Sequence, residues 1–352
     1  MTDWTAFTAL PWQSEPLHLP SAGAPLSAST AYGAVVAAAT PFRNGTRFLA
    51  LPEVRFHQPS GRVGAPGELL PGPEDRSLKE YLHRREAEPF LLRAREPLML
   101  DYSVWSQVRD WIVPLWQQIG VPVVPLAAEL VVTDGQSQRV SEDRYLTLVW
   151  VLHGRLEVEA GGATLIGDEG DLLSWPPGAA SMRGTECLWL RLLVPVDGKL
   201  AAKPVTELLL AGLDRRRGTD ATPYLPMAEA GRPMQPLVET AAGLAELSSS
   251  AEVERSLRVQ WASRVSAGAL EPVPAPQRSE LVAGQRVKAA APVYRMRDGD
   301  RWLWAVNGHA FTIGGGDGLL AELKRGEVLA RDDAYLPLLR RLHSLRAVEV
   351  VA

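Results

Sequence analysis

The sequence has very little of three features that would place a protein in a special class. It has one cysteine, Cys187, among 352 residues, which excludes an internal disulfide and a cysteine-based zinc site and suits a reducing compartment. Its longest apolar runs, such as residues 146–152, are much shorter than the about 20 residues of a membrane helix. The first twenty residues lack both a basic start and an apolar stretch, so we expect a cytoplasmic protein without a secretory signal or a membrane partner.

The chain also lacks a charge excess of either sign. It has 37 Lys+Arg against 41 Asp+Glu, a formal net charge of −4, so no large basic surplus is available to bind phosphates, and we do not expect nucleic acid as a partner. With 46% hydrophobic residues the chain can build a core, which excludes global disorder. At roughly 100–200 residues per domain, two or three compact units are expected.

The first hundred residues predict an extension around a larger body. Residues 1–75 are rich in proline, glycine and small side chains, and this pattern predicts short strands and loops. The apolar runs in this part are 34–38, 47–51 and 54–56. Ser77 and Glu80 have the spacing of a capping box at the start of a short helix. We assign residues 1–100 to an N-terminal extension.

The middle of the chain changes from helical to strand patterning. Apolar residues at three- and four-residue spacing predict a helix over 103–119 that is bent at Pro114 and ends at Gly120. From residue 122 to 196 the period becomes two, with regular turn residues. The predicted strands are 126–132, 145–152, 155–159, 163–166, 171–174 and 187–194. Many short strands without helices between them predict a β-sandwich or barrel.

The C-terminal third predicts helices and a hairpin. Helical spacing occurs over 205–217, 236–247 and 251–265, and the proline-rich residues 272–276 predict a linker. Beyond the linker, the predicted elements are a hairpin (302–306 and 309–313, around Asn307 and Gly308), helices at 319–324 and 333–345, and a strand at 347–351. Two helices with a hairpin in about seventy residues are typical of a winged-helix module.

Three segments of the middle region resemble a known family. They are VSEDRYLTLVWVLHGRLEVEAGG, LIGDEGDLLSWPPGAASMRG and CLWLRLLVPV, and they resemble the JmjC-type cupin domain of the bacterial ribosomal-oxygenase family of protein hydroxylases. The resemblance implies a mainly β fold with α-helices: a double-stranded β-helix (cupin) barrel over 101–196, a helical dimerisation segment over 197–275 and a C-terminal winged helix over 280–352. It also implies a homodimer.

The resemblance implies a divergent site. Active members hold Fe(II) with a His-x-Asp…His triad and bind 2-oxoglutarate; the positions that match the triad here are Ser141, Asp143 and Ser181, and the basic position for the cosubstrate matches Leu156. A serine hydroxyl is a poor ligand for a first-row metal, and leucine offers no charge to a dianion. We therefore expect no metal, no cofactor and no catalytic residue. The remaining pocket positions are Ser141, Asp143, Tyr145, Leu156, Ser181 and Arg183.

Three functional hypotheses follow, and whether the protein is an enzyme stays open among them. The favoured one is a non-catalytic pseudo-hydroxylase that binds a peptide or protein partner. The first alternative is an active Fe(II)/2-oxoglutarate-dependent hydroxylase with shifted ligands, for which His153, at the end of a predicted strand, is the candidate. The second is a metal-independent cupin enzyme that acts on a small molecule. Cys187 opens a predicted buried strand and is expected to be a packed thiol rather than a nucleophile.

Overall fold

The computed structural model describes residues 2–45, 52–85, 88–217, 235–314, 316, 318–331 and 335–351. The apolar run predicted at 47–51 lies outside these residues, as does the start of the helix predicted at 333. Within the described ranges, no helix has both the length and the apolar character needed to cross a membrane.

The N-terminal region begins with two helices. These are α1 (Trp4–Ala9) and α2 (Ala28–Arg43), and the side chain of Ser27 caps α2 by accepting a hydrogen bond from the Thr30 amide. The prediction of a short strand at 34–38 is wrong, because these residues lie inside α2. The run is rich in alanine, the strongest helix former. Ala31, Val35 and Ala38 recur at helical spacing and are buried on one face.

The rest of the extension adds strands and two predicted helices. The elements are β1 (Leu17–Leu19), β2 (Glu53–Gln58), β3 (Gly61–Val63), α3 (Leu78–Arg85), β4 (Phe90–Arg95) and α4 (Tyr102–Ile119). α3 and α4 confirm the helices expected from the capping box and the apolar spacing. α4 continues through Pro114 and ends at Gly120, whose φ is 92°. β2 confirms the apolar run at 54–56.

The barrel contains six strands; five were predicted, β6 was not, and β7 and β10 are much longer than predicted. They are β5 (Ala127–Asp134), β6 (Ser137–Glu142), β7 (Tyr145–Ala160), β8 (Ala163–Asp168), β9 (Leu172–Trp175) and β10 (Gly178–Pro195). The strands predicted at 145–152 and 155–159 are one strand, β7, which bends at Gly154. β10 has register shifts against β7 between residues 185 and 189, and such bulges bend a strand without ending it.

Ten antiparallel strands form one sheet that folds into two layers. The first layer has the order β1-β9-β7-β10-β5-β4-β2-β3, and β6 and β8 join it through β10 and β7. Residues 147–150 of β7 pair with β9, whereas residues 155–160 pair with β8. Similarly, β10 pairs with β6 over 178–183 and with β5 over 187–193. Two strands that pass through both layers build the expected double-stranded β-helix, and the mainly β cupin fold with helices is confirmed.

The first layer has apolar residues on both faces. Its outer face, with Trp150 and Leu190, packs under the N-terminal helices against side chains such as Phe7 and Ile112. Its inner face packs against the second layer and forms a separate core inside the barrel. This arrangement explains the nearly continuous apolar runs of β7 and β10, because strands covered on both faces do not alternate.

The C-terminal elements follow the predicted order. They are α5 (Ala202–Arg217), α6 (Gln235–Ser248), α7 (Ala251–Ser266), β11 (Arg286–Ala289), β12 (Tyr294–Asp298), β13 (Arg301–Val306), β14 (His309–Ile313), α8 (Leu319–Arg325), β15 (Val328–Leu329), α9 (Leu336–Ser344) and β16 (Val348–Val350). The strands form two small sheets, β15-β11-β16 and β12-β13-β14. The winged-helix assignment and the homodimer stay predictions.

Gly154 allows the bend that carries β7 from one layer to the other, and it gives a test of the barrel. Gly154→Ala should destabilise the fold strongly, because the added Cβ would lie 2.2 Å from the Glu186 carbonyl oxygen. Gly162→Ala is the matched control, since its φ of +79° is close to the +76° of Gly154 but its Cβ would meet nothing within 4 Å.

Both variants carry the cost of a left-handed alanine, about 1 kcal/mol or more. The difference in free energy of unfolding between the two variants measures the cost of the contact between the new Cβ and Glu186. We expect Gly154→Ala to lose at least about 2 kcal/mol more than Gly162→Ala. Denaturant unfolding followed by tryptophan fluorescence measures this. Equal losses in the two variants would contradict the assigned bend.

Candidate functional site

The interior of the barrel is filled by side chains from both layers. The first layer contributes Leu91, Val131, Val149, Val151, Leu173, Trp175, Cys187 and Trp189, and the second contributes Leu156, Val158, Ala160, Ala180 and Met182. Cys187 is buried, as expected, and burial raises the pKa of its thiol. A low proportion of thiolate confirms the packed-thiol interpretation.

A buried ion pair lies among these apolar residues. Arg191 on β10 and Glu129 on β5 are cross-strand partners. The Arg191 Nε and Nη2 donate to Glu129 Oε2 at 2.9 and 2.6 Å, and the side chains are 1% and 5% exposed. Glu142 Oε1 lies 3.5 Å from Arg191 Nη2, and Arg93 Nη1 lies 3.8 Å from Glu129 Oε1. Two carboxylates and two guanidinium groups therefore form one interior network.

Burial and charge act in opposite directions on Glu142. Desolvation raises its pKa, and the nearby Arg191 opposes that rise; the net direction is upward. Its carboxylate is thus held in the network by one guanidinium while the apolar surroundings disfavour its charge.

The alternation of β6 determines which predicted site residues face the interior. Gln138, Val140 and Glu142 are half-buried, whereas Ser137, Arg139 and Ser141 are exposed. Ser141 therefore lies on the outward face of the strand. Its hydroxyl donates to Asp143 Oδ1 at 3.1 Å, and Asp143 is itself exposed in the turn before β7. These two predicted residues are brought together, outside the barrel.

The other predicted residues are spread over three surroundings. On β10, Ser181 and Arg183 alternate with the buried Ala180 and Met182, so both point away from the interior. Leu156 is fully buried inside the barrel. Tyr145 is half-buried at the start of β7, at the rim of the barrel. The six predicted positions do not form one pocket.

The donors of the interior do not fit Fe(II). At the interior-facing positions nearest the expected ligands, Val140 and Ala180 are cross-strand partners, and neither has a donor atom. The carboxylates present, Glu129 and Glu142, face Arg191. In the described ranges no group of three or more His, Cys, Asp or Glu residues could hold a metal ion. His153 is 40% exposed, with Nδ1 3.3 Å from Glu169, so it faces solvent as expected for a strand-end histidine.

A cleft of about 600 Å³ lies where the barrel rim meets the helices; we name it the rim cleft. Its barrel side includes Arg95, Glu96 and Tyr145, and its other wall comes from α5, α7 and the segment that follows α7. The lining residues are Arg95, Glu96, Val124, Pro125, Leu126, Ala127, Tyr145, Leu200, Lys203, Pro204, Glu207, Val259, Gln260, Ser263, Arg264, Glu271 and Pro272. The cleft therefore combines apolar walls with charges of both signs.

An ion pair fixes the helical wall of the cleft. Arg264 on α7 donates from Nε to Glu271 Oε1 at 2.5 Å and from Nη1 to the Val123 carbonyl at 2.5 Å. The Arg264 side chain is only 9% exposed. Because one guanidinium binds both the segment after α7 and the segment before β5, the two walls are held at a defined separation.

Glu96 is the one buried acid in the rim cleft, and sequence reasoning missed it. It has a left-handed backbone, φ 57°, and its carboxyl accepts from the Ala128 amide at 3.3 Å. Desolvation raises its pKa to about 8. No spacing marks it in the sequence, because its burial comes from chain segments distant from it. A strained, buried carboxyl in a cleft is typical of functional positions.

Comparison with known proteins shows the fold. No family model matches the chain, and no curated protein matches it. Among solved structures, YcfD, a ribosomal oxygenase from Escherichia coli, in complex with cobalt and succinic acid matches with a TM-score of 0.55 at 14% identity, covering 100% of this chain and 99% of that chain. The complex with cobalt and 2-oxoglutarate gives 0.52 at 14% identity with the same coverage. The chain therefore has the fold of these solved structures.

Glu96 predicts a pH dependence. Its pKa in the fold, about 8, lies above its ordinary value of 4.5, so the folded state binds the extra proton between these pH values. The contribution of Glu96 to stability is then fully present below pH 4.5 and decreases as the pH rises through 8, by at most about 1.4 kcal/mol per pH unit. Glu96→Gln should remove this slope and be more stable than the unmodified protein at pH 8.

Thermal unfolding from pH 5 to pH 9 tests this prediction. Glu207→Gln is the matched control, because it removes a carboxyl from the same cleft that is 64% exposed. A slope that survives in Glu96→Gln would show that Glu96 is charged in the fold.

Proposed function

We propose that the protein is a non-catalytic cupin-like protein, a pseudo-hydroxylase, that binds a peptide or protein segment in the rim cleft. The observation that carries the proposal is the Arg191–Glu129 pair inside the barrel. An oxygenase of this fold needs free ligands for iron, and here the interior carboxylates are held by a buried guanidinium. Val140 and Ala180, the interior-facing positions nearest the expected ligands, have no donor atoms and support the same conclusion.

The energetics oppose any release of the interior carboxylates to a metal. Moving Glu129 away would leave the buried Arg191 with only Glu142, 3.5 Å from its Nη2, and breaking a buried pair costs about 3–5 kcal/mol. A metal would also have to bind beside that positive charge. The interior as it stands therefore does not favour Fe(II).

The rim cleft has the properties of a site for a polypeptide. Its volume of about 600 Å³ accommodates several side chains. Val259 and Leu200 offer apolar contact, and Lys203, Arg95 and Glu96 offer charged partners and a protonated carboxyl. The matched structures are described as ribosomal oxygenases, so ribosomal proteins are the first partners to test.

We also propose that the protein is a homodimer that pairs through its helices α5 to α7. Apolar side chains on these helices are exposed, among them Leu237, Val238 and Trp261. Exposed apolar surface of this kind is typical of interfaces.

A second candidate function rests on polar atoms inside the barrel. Thr147 Oγ1, Trp175 Nε1 and Arg191 Nη1 are buried without a hydrogen-bond partner, and Thr147 and Trp175 are cross-strand partners. Buried donors of this kind usually bind water or a small polar molecule. Native mass spectrometry of the purified protein would detect such a molecule and favour the small-molecule alternative.

Anaerobic titration with Fe(II) and 2-oxoglutarate tests the loss of catalysis. We expect no tight binding by the unmodified protein, and no succinate formation. Val140→His/Ala180→His should gain Co(II) affinity, because these cross-strand positions face the interior next to Glu142. The matched control is Ser141→His/Ser181→His, which adds the same two imidazoles on the outward face, where we expect little gain. Stoichiometric tight Fe(II) binding by the unmodified protein would overturn the pseudo-hydroxylase proposal.

Binding to an array of ribosomal-protein peptides tests the rim cleft. A peptide that binds there should lose about tenfold or more in affinity with Val259→Asp, because a charge then replaces an apolar wall. Ser181→Ala, on the outward face of β10, is the control and should change affinity little. Peptides whose affinity Val259→Asp does not alter would show that the cleft is not their site.

A further inference from the structure

A second groove, of about 360 Å³, lies between the inner face of β2 and β4 and the strand β6; we name it the basic groove. It shares no lining residue with the rim cleft. The lining residues are Arg55, His57, Gln58, Pro59, Gly61, Leu91, Arg93, Gln136, Ser137, Gln138 and Arg139. Three of them are arginines, and none is an acid.

The arginines of the basic groove are incompletely neutralised. Arg55 binds Glu53 at 2.5 Å, whereas Arg93 is 3.8 Å from Glu129, which is already committed to Arg191. The side chain of Arg139 is exposed and has no hydrogen bond or ion pair with the described residues. The pKa of His57 is lowered by burial and by Arg93, Arg62 and Arg55. The groove therefore has a positive potential that favours an anionic ligand.

One wall of the basic groove is a strand with an unpaired edge. Among the described strands β6 pairs only with β10, so the backbone groups on its other edge remain available for an added strand.

We propose that the basic groove binds an acidic peptide segment, extended along the free edge of β6, with its carboxylates on Arg55 and Arg93, which are cross-strand partners. Antiparallel or parallel addition of a strand satisfies the edge of β6 through the backbone. Because alternate side chains of a strand point to the same face, acidic residues at every second position can all face these two arginines. This inference concerns a different surface from the rim cleft and does not depend on it.

The test uses fluorescein-labelled hexapeptides and the full-length protein. One peptide alternates valine and glutamate, and its neutral control alternates valine and glutamine. Fluorescence polarisation should show binding of the acidic peptide about tenfold or more tighter than the control, and binding should weaken as salt increases. Equal binding of the two peptides would overturn the proposal.

Two variants with the same change in net charge locate the site. Arg139→Glu should weaken binding of the acidic peptide about tenfold or more. Arg62→Glu, on the neighbouring β3 but not in the lining of the groove, should change it less than about threefold. Both residues are exposed, so neither variant is expected to unfold the protein. Equal effects of the two variants would show binding outside the groove.

Two further probes distinguish a peptide bound as an added strand from other kinds of anionic ligand. Two methylated peptides are compared, one with methyl groups on the nitrogens of its odd-numbered residues and one with them on the even-numbered residues. Only one of the two should lose binding, because only every second N–H group of an added strand faces β6. Binding of both methylated peptides would overturn strand addition. A thymidine hexanucleotide that binds more tightly than the acidic peptide, and is weakened by Arg139→Glu, would assign the groove to nucleic acid and overturn the proposal.

Discussion

The ion pair between Arg191 and Glu129 is the constraint on which the interior of this barrel depends. The two residues face each other across β10 and β5, in a core whose other members are almost all apolar. In such surroundings either charge alone would be costly, so each holds the other in place. Arg93 and Glu142 extend the network to β4 and β6, and it thereby connects both layers of the barrel at its polar end.

This pair also determines where binding can occur. The centre of a cupin barrel is the usual place for a metal, but here bulky side chains such as Trp175 and Trp189 and the Arg191–Glu129 pair occupy it. The two cavities lie instead at the openings. The rim cleft lies where the barrel meets α5 and α7, and the basic groove lies beside the edge of β6. The fold is that of an oxygenase, but fold alone does not determine function.

The sequence predicted five of the six barrel strands because period-two patterning and turn residues are local signals, but it missed β6 and the first half of β10. It predicted β7 as two strands, since Gly154, with its φ of 76°, has the same local signature as a turn. The inward face of β6 could not be predicted, because a shift of one residue exchanges Ser141 for Glu142. The rim cleft and the burial of Glu96 also could not be predicted from the sequence. The carboxyl of Glu96 binds the Ala128 amide, and α5 and α7, which line the cleft, come more than a hundred residues after Glu96. No single-sequence pattern encodes such contacts.

The interior network and the basic groove are physically coupled through Arg93. Its guanidinium lines the groove and also faces Glu129 at 3.8 Å, a distance that leaves its hydrogen-bonding capacity largely unused. A ligand carboxylate in the groove can bind Arg93 without displacing Glu129, because Glu129 keeps its two short bonds from Arg191. The buried pair therefore supplies rigidity, and Arg93 supplies the available charge. A metal bound beside Glu129 would require the opposite arrangement, with free carboxylates and no guanidinium. Metal binding in the interior and anion binding by Arg93 therefore exclude each other.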